Sequence, residues 1–349
     1  MSTILPLGET PINSFHHHAF PLLISALHPY FNDWFNCNYI QLYSKKSESE
    51  SFAVNYYEFD RLGMKTPFIA ECYTKRSIIS KYVNPVQFVK DSISNNQYVM
   101  TFLDEYYLPD RWAYQKIHFI HDTLIYGFDD ERGVVHIAGF DATRTFTFTE
   151  VDMRDFEQAY STTEQGVGPI VIHADGIHSY ELKLDRTYTF DLSIIIEMME
   201  DYLYSRNTSE RFRMYYDPVD HIYGLNTYDS VIDYLTNSGN EMIDTKVLHV
   251  IYEHKKTMTS RLRYLQEEKG IAVDPWVIEQ YSLIEELSFK TRASALKYEI
   301  TMSPSLLSKM VDELRKMREM EQAVLERLIP QLKQQLPKSS QQVTVLTSS

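Results

Sequence analysis

Residues 114–141 read YQKIHFIHDTLIYGFDDERGVVHIAGFD. Two apolar stretches, 122–128 and 134–140, flank the polar run Asp129, Asp130, Glu131, Arg132, Gly133. A short polar turn with glycine near its end between two strand-like runs predicts a β-hairpin. The same period-two texture predicts strands at 39–43, 52–59, 67–73, 97–107, 145–149, 170–173 and 179–184. Helical spacing predicts short helices at 85–93, 151–160 and 194–204. An earlier helix runs from Phe15 to about Leu27, capped by Asn13 or Ser14 and ended by Pro29. Pro21 belongs in a first turn, which pulls its expected start toward His18.

The texture changes after about Leu192. Pro218 and Gly224 interrupt a mixed stretch, and three long helices are expected at 244–269, 275–300 and 304–334. In the last, Leu307, Met310, Leu314, Met317, Glu321, Val324 and Leu328 recur at alternating spacings of three and four, a heptad seam with one charged interruption. The expectation is a helix packed within its own bundle; the alternative is a homo-oligomer through the C-terminal helices. The predicted fold class is α+β, with an α+β domain at 1–192, a helical domain at 193–336 and a disordered tail at 337–349.

Composition narrows the function classes. The chain of 349 residues is 44% hydrophobic and 13% aromatic, ample for a packed core. A net charge of −14 argues against nucleic acid as a partner, because phosphate binding needs a basic face. Apolar runs are too short for a membrane span, and the start MSTILPLGETPINSF lacks the form of a secretory signal. Cys37 and Cys72 form no disulfide framework, so the expected compartment is the cytoplasm.

His121 opens the first strand of the hairpin and Asp141 follows the second. A carboxylate beside an imidazole orients it for general-base work, and this pair is the first catalytic candidate. The segments HDTLIYGFDD and VVHIAGFD resemble the catalytic His-and-Asp hairpin of papain-like cysteine enzymes, and specifically the butirosin-biosynthesis H N-terminal family. The stretch DTKVLHVIYEHKKTMTSRLRYL resembles helical C-terminal regions of related proteins from bacterial peptide natural-product clusters. The resemblance implies a papain-like fold followed by a helical bundle. It implies transfer of an acyl group from a carrier-protein thioester to a small-molecule amine. The donor is then the phosphopantetheine arm of an acyl or peptidyl carrier protein, with no other cofactor.

That family's nucleophile is a cysteine at the start of the first long helix. FHHHAFPLLISAL holds none, and His17 or His18 stands near that position, with no upstream Gln as oxyanion donor. Two alternatives stay open: a catalytically degenerate scaffold that binds a peptide synthetase or carrier, and a hydrolase using Cys37. Ser14 reads as a cap, Cys72 as a strand thiol, His118 as structural, and Asp129 and Asp130 as turn residues. Three adjacent histidines do not all face one ion. A set of His18, His121 and Asp141 could hold zinc, but no HExxH spacing supports it, and no metal is expected. His249, Glu253, His254, Lys255 and Lys256 read as a solvated helix face. Two basic patches could meet an acidic carrier: Lys255, Lys256, Arg261 and Arg263, or Lys309, Arg315, Lys316 and Arg318.

Overall fold

The computed structural model describes residues 2–45, 52–57, 66–164, 176–214, 217–238 and 241–337. The expected strand at 170–173 and nearly all of the expected tail lie outside these residues. In chain order the elements are β1 (Ser2–Ile4), α1 (His16–Ser25), α2 (Phe31–Asn38), β2 (Leu42–Ser44), β3 (Val54–Tyr56), β4 (Ile69–Lys75), α3 (Arg76–Ile79), α4 (Pro85–Ser94) and β5 (Gln97–Asp104). There follow β6 (Ile120–Asp129), β7 (Val134–Phe140), β8 (Phe146–Asp152), α5 (Met153–Glu164), β9 (Gly176–Leu182), α6 (Leu192–Leu203), β10 (Ile222–Tyr223) and α7 (Asn226–Asn237). Three long helices complete the chain: α8 (Lys246–Glu267), α9 (Pro275–Thr301) and α10 (Pro304–Lys333). The fold is α+β, with an antiparallel sheet and a C-terminal helical region. Among the described residues no helix is long and apolar enough to cross a membrane.

The chain divides into two compact units, one of 1–32 and 59–189, the other of 33–58 and 190–349. The expected division at 192 therefore differs in kind: an early excursion of the chain belongs to the helical unit. The reason is visible in the carbonyls that α2 leaves at its C-terminal end. Arg261 of α8 donates to the carbonyls of Asn36 (2.8 Å) and Tyr39 (2.6 Å). His254 donates to the carbonyl of Ile40 (2.8 Å). The small sheet β10-β2-β3 lies in this unit too. The expected strand at 39–43 shrinks to Leu42–Ser44, and the helix before it was not expected.

In the first unit the sheet runs β4-β9-β5-β6-β7-β8, with β1 on the far part of the β6 edge that β5 leaves open. The hairpin β6–β7 forms as expected. Asp129 accepts from the backbone of Glu131 (2.9 Å) and Arg132 (3.1 Å), and Gly133 takes a positive φ of 66° that suits glycine. The ladder slips between Ile125 and Gly127, a bulge in β6. Apolar side chains of α1, α4 and α5 close one core on the sheet, including Phe20, Leu23, Val89, Ile93, Phe156 and Ala159. Helix α4 begins with Asn84 capping Val86 (2.8 Å) and Pro85 in the first turn.

In the helical unit, α10 packs against α9, α6 and α7. Every residue of the predicted seam, Glu321 included, is buried.

Candidate functional site

Helix α1 starts at His16, two residues before the expected start, so Pro21 lies inside it. Every residue of α1 except His17 is buried, and His16, Ala19, Phe20 and Leu23 lie on one side of it at spacings of three and four. His16 is thus the first helical residue and points into the protein, stacked on Phe20 (4.6 Å) and on Phe140 of β7 (4.7 Å).

The β5–β6 register supplies the partners. Leu103 pairs with His121 and Phe102 with Asp122. The ladder continues one step, with Glu105 donating its N–H to the Phe119 carbonyl (2.8 Å). Glu105, just past the end of β5, thereby comes beside His121. Its carboxylate lies 3.0 Å from His121 Nδ1. On the other side of the ring, Nε2 lies 3.5 Å from Asp122 Oδ1. The same Asp122 oxygen is 2.9 Å from His16 Nδ1, and the two imidazole centroids are 4.7 Å apart. The result is a chain His16–Asp122–His121–Glu105.

Its electrostatics are set by partial burial. Burial lowers the His16 pKa, opposed by the Asp122 hydrogen bond, so this imidazole is neutral near pH 7. Burial pushes the Asp122 carboxyl up. The His16 hydrogen bond and, once these rings are protonated in acid, the charges of His16, His121 and His17 outweigh it and hold the group at about 2. Since His16 is itself neutral near pH 7, the hydrogen bond rather than a full ion pair is the interaction that operates there. Arg111 borders the cluster: its guanidinium donates to the Phe140 carbonyl and lies flat on Gly139. Burial lowers the Arg111 pKa, countered by the charges of Glu105, Asp141 and Asp110.

Three buried polar atoms of this region have no hydrogen-bond partner among the described residues: His16 Nε2, Glu105 Oε2 and one terminal nitrogen of Arg111. His121 keeps 33% of its side chain exposed, so the chain of groups is reachable from solvent.

The structure rearranges the expected site. His121 is present, but the carboxylate on its Nδ1 is Glu105, not Asp141. Asp141 Oδ1 accepts from the backbone of Thr143 (2.8 Å) and Thr145 (2.9 Å) and from the Thr143 hydroxyl (2.7 Å). It braces the β7–β8 turn. His16, which was not among the expected site residues, meets His121 with ring centroids 4.7 Å apart; the rings of His17 and His18 lie 4.2 Å apart at a tilt of 47°. Cys37 is fully buried in the helical unit, its thiol 3.6 Å from the Asp191 carbonyl. Cys72 lies exposed on β4, 3.9 Å from the Thr74 hydroxyl. His118 is held by buried Asp104 at 2.7 Å and stacks on Tyr106 at 4.4 Å, a structural histidine.

The face read as solvated in α8 is largely interior. His254, Lys255 and Arg261 are fully buried and Glu253 nearly so. The patch Lys255, Lys256, Arg261 and Arg263 therefore loses two of its four cations to the core.

Glu105, Asp122 and His16 are the site residues that sequence reasoning missed. No local pattern singles out His16 or Glu105. Compared with known proteins, the sequence matches no family model and no curated protein.

Proposed function

We propose that the first unit carries an acyl-transfer or hydrolytic centre in a papain-like arrangement, with His16 at the helix-start position where such enzymes place their thiol. The observation that carries this reading is the chain His16–Asp122–His121–Glu105, built where a helix start meets a strand of the antiparallel sheet. Glu105 takes the Nδ1 proton side of His121 and leaves Nε2 as the basic nitrogen. That nitrogen receives the proton of an attacking amine or water and returns it to the leaving group, as general acid–base chemistry requires. The substrate class is an acyl thioester on a carrier's phosphopantetheine arm, and the acceptor is a small-molecule amine or water.

The test is cleavage of an acyl-phosphopantetheine thioester, with and without an amine acceptor. Replacing His121 by Ala should lower the rate by about 100-fold or more, as loss of a general base does. An unchanged rate in folded His121→Ala protein removes the reading.

One observation favours a second reading. The sole cysteine of the first unit, Cys72, lies on a strand whose partner is β9, not beside His121. A papain-like scaffold without its thiol fits a binding partner of a carrier or peptide synthetase. Carrier capture by a wild-type protein that cleaves no thioester would select it.

A further inference from the structure

We propose that His16, His121 and Asp122 form a binding site for one divalent transition-metal ion of the zinc class. The inference rests on the reading above in one respect: it supplies that site with the nucleophile which the missing thiol leaves open. As a metal site it stands on geometry alone.

The three side chains each offer one donor atom, and these atoms lie within 4.8 Å of one another. Donors bound to zinc at about 2.0–2.1 Å sit roughly 3.4 Å apart in a tetrahedron. The closest pair, 2.9 Å, is inside that spacing, and Asp122 Oδ1 to His121 Nε2, at 3.5 Å, matches it. Two imidazoles and one carboxylate are a donor set that zinc takes in catalytic centres, with a fourth position left for water.

The surroundings point the same way. Glu105 on His121 Nδ1 is the outer carboxylate that orients metal-binding histidines and fixes Nε2 as the donor. His16 turns Nδ1, the donor beside Asp122 Oδ1 at 2.9 Å, toward the ion, and its buried Nε2 has no hydrogen-bond partner among the described residues. Phe20 and Phe140 pack on His16 and hold it in place. The partial exposure of His121 gives an ion its way in.

The chemistry that follows is hydrolysis. With the ion bound, His121 Nε2 is a ligand rather than the base: a water on the ion would pass its proton to solvent, its oxygen would bond to the acyl carbon, the C–S bond would break, and the departing thiolate would take a proton from solvent.

The experiment uses the full-length protein stripped by chelator and titrated with zinc chloride in a calorimeter. The expected result is one ion per chain. Affinity should fall at least tenfold in His16→Ala, in Asp122→Ala and in His121→Ala, and 10–100-fold in Glu105→Gln. His121→Ala and Glu105→Gln guard against unfolding, because His121 is partly exposed and Gln preserves the shape of Glu105. Cobalt(II) should give the visible bands of a four- or five-coordinate ion in wild type and lose them in the variants. No stoichiometric uptake overturns the proposal, as does equal affinity in folded His121→Ala and Glu105→Gln. Thioester cleavage is followed in parallel. Zinc uptake without cleavage upholds the metal site and removes the proposed activity. Cleavage by chelated protein that takes up no zinc removes the metal site and upholds the activity.

Discussion

Among the described residues each unit holds a buried cluster of ionisable groups, and these two clusters are finished differently. In the helical unit, Lys255 Nζ meets Glu321 (2.6 Å), the Tyr202 hydroxyl (2.8 Å) and His254 Nδ1 (3.0 Å). Three donors find three acceptors. Glu321 accepts in addition from Tyr202 (3.0 Å), Tyr228 (2.9 Å) and Tyr281 (3.3 Å), and His254 Nε2–H donates to Ile40. All six side chains are fully buried or nearly so. In the first unit, the His16–Asp122–His121–Glu105 chain stays partly open and keeps orphaned atoms. A sealed, saturated network specifies how helices meet. An open, unsaturated one has unused capacity for a proton, an ion or a substrate.

The largest expected effect tests the sealed side. Glu321→Ala leaves Lys255 buried without its counter-charge and should cost about 3–5 kcal/mol in denaturant unfolding. His121→Ala, at a partly exposed position, should cost less than about 1 kcal/mol. Equal losses would erase the contrast.

Acid is the next probe. The Asp122 carboxyl is held at about 2 in the fold, against an ordinary 3.8. Its ionised form is favoured by folding, so that stabilisation is present above pH 3.8 and disappears as pH falls toward 2. The difference is about 2 kcal/mol. His16 adds to the same trend at higher pH: folding keeps it neutral, so acidification below its ordinary 6.5 also erodes stability. Asp122→Asn should flatten the lower part of the acid unfolding curve. An unchanged curve would mean that Asp122 is not held by the cluster.

A smaller effect is expected at Gly139. A Cβ there would come within 3.1 Å of the Arg111 guanidinium, which the Phe140 carbonyl anchors. Gly139→Ala should cost about 1 kcal/mol in thermal unfolding; a neutral result would show that Arg111 has room to move. The smallest concerns the surface of α10. Lys309, Arg315 and Lys316 are exposed, and reversing all three to Glu should change stability by about 0.5 kcal/mol or less. Capture of an acidic carrier should weaken if this surface docks it, and unchanged capture would exclude the surface.

Much of the architecture was legible from period alone. The β6–β7 hairpin, α4, α6 and the three long helices carry strong periodicity with turn or cap residues at their ends. Helix α2 was not legible, because WFNCNYIQLY mixes both periods and the helix is held by Arg261, more than 200 positions away. The site divided in the same way. His121 stood out at a strand start. Its carboxylate partner emerged only from the pairing of Leu103 with His121, which places Glu105 sixteen residues upstream in range. Pro21 misdirected the helix start and so the choice among His16, His17 and His18. Lys255 looked solvated because its partner lies 66 positions away. The clue was in the seam of α10, where one charge among apolar positions demanded a buried counter-charge.

The central claim is that the histidines of the first cluster are chemically open and that of the second is closed. Side-chain nitrogen NMR of the folded protein, followed while zinc is added near pH 7, reads both at once. The account predicts that His16 and His121 nitrogens shift with one equivalent of zinc, while His254 keeps its neutral tautomer with the proton on Nε2. A shift at His254, or none at His16 and His121, would contradict it.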